Sequence, residues 1–563
     1  METALDTCVR CERERRVLEE TKESETQSGS QTNHDQRWAK EAQHIELDFA
    51  LQNSIQAQLF DERSNGLPDT ILYQSPLSWS LKQKAIVLFN PFIAATLAAY
   101  AAGAYSLAGD DLRTKWALSS TEFNIGITIF VLAFGFVPII LALVSEIYGR
   151  YWVFVGAGAV FFLGTLGCAT AESFGAMLAG RLVAGAGASV FATLTGGVVG
   201  DLFLKEDRDT PMTLYTLSIL AGTGLGPLIS SILVDKLGWQ WVFYLQMILI
   251  GATALNLLLF FQETRGSVLL ERNCSALNMY LHALQDHGKM AIACLSIDGI
   301  LRIHISDSSE RMPRLRFTVA RSNQSSLPAT IWRSFRFPLA LLVTEPIVVC
   351  FSAWISFAWA VLYMQFNSIS LVYRNAYAFT NTQTGAVWTS VVVGSLFGAI
   401  ICIIQERICR RRWPQIATRP EGRLYFACVA SLSLPIGLFW FAWSANSNCH
   451  YIVPTIAIGI FIFGIFVIYL TTFNYLVDIY GSHASSALAA QSMCRNLLAG
   501  IFPLFTEAML ERLGTARTGS MLGGIGVFLC LVPVMLCIYA EPIRKRTVDK
   551  PGEPCIHVQE LVY

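Results

Sequence analysis

The sequence predicts an all-α membrane protein with twelve transmembrane helices in two six-helix bundles. Three observations predict it. Of 563 residues, 53% are hydrophobic and 15% charged, and the mean hydropathy is +0.47. A soluble protein needs about 25% charged residues to solvate its surface, so a large soluble enzyme is disfavoured. The apolar residues fall into twelve runs, each near the roughly 20 residues needed to cross about 30 Å of hydrocarbon. These runs come six and six, separated by one long polar stretch.

The first six runs cover about 84–108, 121–144, 152–171, 175–203, 212–234 and 240–261. The second six cover about 338–363, 384–405, 424–444, 451–476, 485–507 and 519–540. The expected domains are a polar, mostly disordered tail over 1–80, a bundle over 81–262, a central loop over 263–337, a second bundle over 338–541 and a tail over 542–563. Residues 1–80 are rich in Glu, Gln, Ser and Thr and cannot bury enough apolar surface to fold alone. The first thirty residues are charged and lack an apolar core, so no cleavable leader is expected and the first span serves as the targeting signal. An apolar patch at 289–301 in the central loop is too short and interrupted to span.

Basic residues set the orientation. Loop 405–423 carries Arg407, Arg410, Arg411, Arg412, Arg419 and Arg423, and the final tail carries Arg544, Lys545, Arg546 and Lys550. With an even number of spans, both termini and these loops are expected in the cytoplasm. The opposite loops are poorer in basic residues, although Arg113 and Lys115, offset by Asp110 and Asp111, make a partial exception. The sequons at Asn273 and Asn323 both fall in the central loop and stay unmodified if that loop is cytoplasmic.

Composition also excludes partners and cofactors. Lys plus Arg equals Asp plus Glu at 41 each, which offers no basic excess for nucleic acid. Cys8 and Cys11 form an isolated CxxC with only His34 and His44 following in the tail, which does not make a metal site. The eight histidines are dispersed, without the His or Asp clusters of a membrane-embedded enzyme.

Four segments carry more than packing. Residues 145–150 read SEIYGR, where Gly149 permits a tight bend and Glu146 and Arg150 supply an acid and a base. Taken alone, this is an ordinary charged loop. Arg181 lies inside the fourth span, where a guanidinium needs polar partners or a water-filled cavity. Asp201 ends that span. The fifth span holds Gly222, Gly226 and Pro227, small residues four apart for close helix approach followed by a helix-bending proline. LGWQWVF follows at 237–243.

Together these segments resemble the major facilitator superfamily, in its twelve-span drug:proton antiporter branch, and most closely the fungal multidrug and polyamine-type exporters. SEIYGR is similar to the loop motif between the second and third spans, RLVAGAGAS at 181–189 to the fourth-span motif, and GTGLGP at 222–227 to the fifth-span antiporter motif. Pro76-Leu-Ser-Trp79, ETRGSVLLER at 263–272, Thr344-Glu345-Pro346, and Phe473-Asn474-Tyr475 with Asp478, Arg495 and Phe502-Pro503 extend the likeness over about 76–545. The sequence departs from the pattern at Ala142, Tyr151, Gln240, Ser230 and Ser231; glycines usually stand at the last two positions.

The resemblance implies the major facilitator fold and alternating access, with a cavity between the bundles lined by spans one, four, seven and ten. Its expected polar lining is Asn90, Tyr100, Arg181, Gln365, Asn367, Asn474 and Tyr475, each of which can equally serve as an inter-helix hydrogen bond. Gating and proton coupling are expected of Glu146, Gly149, Arg150, Asp201, Asp478 and Arg495, with Arg150 pairing Asp201, and Arg495 placed to pair with Asp478. The proton carrier is left open among Asp201, Asp478, Glu507 or none of these, because no acid lies deep in the first span.

The reading is a monomeric exporter of a small organic molecule such as a toxin, drug or secondary metabolite. It is driven by proton antiport without a cofactor, in the plasma membrane or the vacuolar membrane. The sparse acids favour a neutral or weakly anionic cargo over a polycation, with Arg181 available to an anion. The alternatives are a nutrient importer of the same fold and a non-transporting membrane sensor.

Overall fold

In the computed structural model, the described residues are 43–46, 48, 74–286, 290–295, 301–306, 315–318, 327–417, 419, 421–480 and 484–547. They fall into two compact units, one drawn from 1–79 and 265–324 and the other from 80–264 and 325–563. The expected disorder of most of the first tail, the Cys8–Cys11 pair, the Asn323 sequon and Lys550 lie outside the described residues.

The larger unit holds the spans. The first six are α1 Leu81–Trp116, α2 Ser120–Tyr148, α3 Arg150–Ala169, α4 Phe174–Leu202, α5 Asp209–Leu237 and α6 Gln240–Phe260. The second set begins with α7 Pro346–Tyr377, α8 Asn381–Arg412, α9 Gly422–Ser444 and α10 Ile452–Tyr480. The last helical run, Ala484–Tyr539, has 56 residues, far more than one crossing requires. Gly514 within it has φ 78° and ψ 164°, which ends one helix and starts another. The run is therefore two spans, α11 (484–513) and α12 (515–539), and the described residues hold twelve in all.

Local chemistry sets the boundaries. Ser119 caps α2 in a reciprocal capping box with Glu122, and Thr380 caps α8 with Gln383 in the same way. Gly149 at φ 96° and Gly238 at φ 90° make two of the sharp turns. The seventh span differs from the expected 338–363. Glu345 is non-helical and Pro346 opens α7, so 338–344 belongs to a separate helix, Leu327–Thr344. Pro at a first helical position lacks only an N–H that would be unpaired there, so it starts a helix well and cannot continue one.

Helix packing follows the small residues, because lipid offers no hydrophobic drive between helices. In α5, a side chain at Gly226 would come within 2.5 Å of the Tyr100 carbonyl oxygen of α1. Gly103 of α1 gives the reciprocal fit, 2.8 Å from Pro227 Cδ. The fifth-span motif thus seats α1 on α5. In α7, 83% of the most apolar window is buried, against 33% in α6, so α7 is central and α6 peripheral.

The two halves meet along α2 with α11 and α5 with α8. Asn124 donates to the Pro503 carbonyl at 3.0 Å, Thr128 to that of Gly500 at 2.7 Å, and Asn496 to that of Phe134 at 3.1 Å. Between α5 and α8, Ser231 fills the space left by the missing side chain of Gly385.

The smaller unit pairs short strands with the amphipathic helix Gly266–Asp286. Strand β1 (Gln43–Glu46) runs parallel to β4 (Leu315–Thr318), while β2 (Met290–Leu295) and β3 (Leu301–Ser306) form an antiparallel hairpin. The apolar patch at 289–301 thus supplies strand residues. Asn278 binds both backbone groups of Phe317, donating to its carbonyl at 2.8 Å and accepting from its N–H at 2.9 Å. Asn273, the first sequon, is fully buried in this helix.

Candidate functional site

Charged residues gather at the end of the bundle that holds the loops after α2, α4, α8 and α10, here called the basic end. Arg150 opens α3 and its Nε donates to Asp201 Oδ2 at 3.0 Å; its Nη1 donates to Ser145 Oγ at 2.7 Å. The expected Arg150–Asp201 pair is present. Its anchoring acid is Glu263, whose carboxylate accepts from the backbone N–H groups of Arg150 at 2.9 Å, Tyr151 at 3.2 Å and Thr264 at 3.0 Å. The first two are unpaired amides of a helix start, where a carboxylate is favoured. Glu146 is half-buried one turn before that point. A side chain at Gly149 would run into the Glu263 carboxylate.

The second half repeats the arrangement. Arg423 is the second residue of α9 where Arg150 is the first of α3, each preceded by glycine, and Arg423 Nε donates to Asp478 Oδ2 at 3.0 Å. This copy does more. Arg423 Nη1 also donates to Asp209, the first residue of α5 in the other half. Asp209 accepts further from Arg410 Nη2 at 3.0 Å and Asn474 Nδ2 at 3.3 Å, and Lys205 lies 3.8 Å from Asp478. The result is an inter-half latch from Lys205 through Asp478 and Arg423 to Asp209 and Arg410. The carboxyl side chains of Asp478 and Asp209 are only 4% and 10% exposed.

The opposite end is also tied, through more exposed groups. Arg374 pairs with Asp110 at 2.5 Å, Arg113 lies 3.9 Å from Glu507, and Asp235 accepts from the Thr382 N–H at 3.0 Å and its hydroxyl at 2.5 Å. Exposed pairs are worth about 0–1 kcal/mol, whereas stranding one partner of a buried pair costs about 3–5 kcal/mol. The basic end is therefore the more firmly closed. At the far end a cleft of about 230 Å³ opens between the halves beside Asn367, Arg374 and Glu507.

Two guanidiniums occupy the interior. Arg181 donates to the carbonyls of Ala101 at 2.9 Å and Gly126 at 3.1 Å, with the Tyr105 and Phe130 rings 4.6 and 4.1 Å away. It braces α4 against α1 and α2. Arg495 sits over Trp359, Tyr469 and Phe473 at 4.7, 5.1 and 5.8 Å. A desolvated cation on a ring gains about 2 kcal/mol, which offsets part of the burial cost. Trp359, Tyr469 and Phe473 stack in series at 4.9 and 4.5 Å, and Phe473 meets Tyr215 of the other half at 6.4 Å.

The expected lining therefore divides. Asn90, Tyr100 and Gln365 are buried in α1 and α7, and both amide atoms of Gln365 lack a partner among the described residues. Asn367 borders the far cleft and donates to the Pro503 carbonyl at 3.2 Å. Asn474 is not a central cavity residue, because it belongs to the latch through Asp209. Tyr475 packs on Phe351 of α7 at 5.0 Å, within its own half. Arg495 does not pair with Asp478, which is taken by Arg423 and Lys205. The sequence singles out neither Asp209 nor the pairing role of Arg423, and it shows Glu263 only as the first residue of ETRGSVLLER, not as the anchor of α3. The repeated Gly-Arg at 149–150 and 422–423 was the available signal for Arg423.

Comparison with known proteins agrees with this architecture. The profile of the Major Facilitator Superfamily matches residues 91–503. The MFS-type transporter phm3 of Pyrenochaetopsis sp. is 31% identical over 84% of this chain and 92% of its own length. The efflux pump FUBT of Fusarium oxysporum is 29% identical over 90% of this chain and 81% of its own. The proton:xylose symporter XylE superposes with a TM-score of 0.56 at 13% identity, over 86% of this chain and all of its own, a likeness of fold alone. A chain with twelve spans in two halves, the repeated Arg–Asp pairs and this match belongs to the major facilitator superfamily: it is a multi-pass membrane transporter and not an enzyme.

Proposed function

We propose that the protein exports a small hydrophobic organic molecule in exchange for protons, by alternating access of its two halves. One observation carries the reading: the halves are held at the basic end by a latch of charged side chains, Asp209, Arg423 and Asp478. Ion pairs of this kind can open when one carboxylate takes a proton, whereas a packed apolar seam cannot respond to a proton. Export as the direction draws support from the relatives described as efflux pumps, FUBT among them.

In this reading, proton arrival at an acid of the latch, Asp209 or Asp478, or at Asp201 at the same end, loosens the basic end and lets the cargo site face the other way. Glu507, beside the far cleft and near Arg113, is the candidate for proton uptake on that side. The basic loops and both termini lie in the cytoplasm of a plasma-membrane protein acting as a monomer. No cofactor is required, since the proton gradient supplies the energy.

The test is flux in proteoliposomes holding the full chain. An imposed pH gradient, acidic on the side of the far cleft, should drive cargo toward the acidic side, and dissipating it with a protonophore should stop net movement. Flux of cargo along the proton gradient would establish import instead. An absence of counterflow across a broad panel of hydrophobic compounds would favour a sensor.

A further inference from the structure

The two interior guanidiniums are unequally provided for. Arg181 spends its Nε and Nη1 on backbone carbonyls and lies between two rings, so it is largely a brace, with Nη2 alone buried and unpartnered among the described residues. Arg495 makes one hydrogen bond, from Nη2 to Ser492 Oγ at 3.2 Å. Its Nε and Nη1 are buried and, among the described residues, have no partner. The ring faces of Trp359, Tyr469 and Phe473 offset the charge but do not replace hydrogen-bond acceptors. One turn earlier on the same face of α11, Gln491 is fully buried with neither amide atom partnered.

A guanidinium keeps its proton under all ordinary conditions. Buried without a carboxylate, it is an expensive group that needs an acceptor. Among the described residues no Asp or Glu pairs with Arg495, and Asp478, near the end of α10, is engaged by Arg423 and Lys205. The acceptor this site lacks is thus one that arrives and leaves.

We infer that Arg495 is the anchor for the charged group of the cargo, and that the cargo is a hydrophobic planar monocarboxylate. The carboxylate meets the open Nε and Nη1 donors, and the apolar body lies along the Trp359, Tyr469 and Phe473 stack. Gln491, able to donate and accept, completes the polar rim. The inference rests on the transport reading above and adds the chemical class of what is carried. It also moves the anion site from Arg181, where the sequence suggested it, to the second half.

The test uses the full chain in nanodiscs and two probes of one shape, 2-naphthoate and its neutral amide, 2-naphthamide. Wild type should bind the acid at least tenfold more tightly than the amide. Arg495→Gln should bring the two within about twofold, while Arg181→Gln should leave their ratio unchanged. Gln491→Glu supplies a competing carboxylate beside Arg495 and should weaken naphthoate binding at least tenfold with little effect on naphthamide. This second variant keeps the inference testable if Arg495→Gln does not fold.

Equal binding of acid and amide by wild type would overturn the inference. So would an unchanged preference in a folded Arg495→Gln or in Gln491→Glu, or displacement of naphthoate by chloride or phosphate at similar concentrations. Parallel flux measurements separate the two readings. Acid preference without movement would remove the transport reading and keep the anion site; equal movement of both probes would do the reverse.

Discussion

Arg423 binds Asp478 at 3.0 Å through the same pair of atoms, Nε and Oδ2, by which Arg150 binds Asp201 at 3.0 Å. In each half, an arginine at the start of the third helix is tied to an aspartate at the end of the fourth. Only the second copy reaches across to the other half, through Asp209. The duplicated element is structural in one bundle and a latch in the other.

Removing that hub should open the basic end. Arg423→Ala removes the cation between Asp209 and Asp478 and leaves them to Arg410 and to Lys205, a loss of at most the about 3–5 kcal/mol of a broken buried pair. Cys402 lines the crevice beside Asp209, Glu406 and Arg423 and is buried. With the other cysteines replaced, Cys402 should label with a maleimide at least tenfold faster in Arg423→Ala than in the parent. Asp209→Asn combined with Arg423→Ala should recover part of the difference. Equal labelling rates would show that the latch does not hold this end closed.

Gly149 should tolerate no side chain. Its φ of 96° is rare for other residues, and a Cβ there meets the Glu263 carboxylate that holds the start of α3. Strain of this kind costs about 1–3 kcal/mol. Gly149→Ala should lower the melting temperature and the transport rate. Gly156→Ala, where nothing lies within 4 Å of the added carbon, should leave the melting temperature unchanged.

Ser231 and Gly385 should behave as one unit. A Cβ at Gly385 would collide with the Ser231 hydroxyl, across the seam between α5 and α8. Gly385→Ala should impair transport, and adding Ser231→Gly should restore it. The two changes together should differ from the sum of the singles by about 0.5–3 kcal/mol in melting experiments. Strict additivity would mean that the side chains do not share the space.

Asn273 should carry no glycan wherever the chain is made. It is fully buried in the helix Gly266–Asp286, so its amide is closed to an enzyme that acts on exposed chain. Glycosidase treatment should leave the electrophoretic mobility unchanged, and Asn273→Gln should be no different from wild type in this assay. A mobility shift abolished by Asn273→Gln would contradict the buried placement.

Much of the fold could be read directly, because a span is a local property: about 20 apolar residues must bond their own backbone in hydrocarbon. Gly149, Arg150 and Asp201 were legible for a similar reason, lying in two short segments with recognisable spacing. The start of the seventh span is not legible in the same way, because 338–344 is apolar enough to join a span. Only the non-helical Glu345 before Pro346 separates the two helices.

By itself, the sequence determined the twelve spans, their division into halves and the need for partners around Arg181. Tertiary structure decided which partners were met. Asp209 and Arg423 lie 214 positions apart and are brought together by the packing of one half against the other. Asn474 left the cavity for the latch because Asp209 was there to accept its amide. Arg181 found carbonyls, while Arg495 found three rings and too few acceptors. Hydropathy is a sum over neighbours along the chain, but the satisfaction of a buried charge depends on atoms within a few ångströms in space, and the packing of distant helices supplies those.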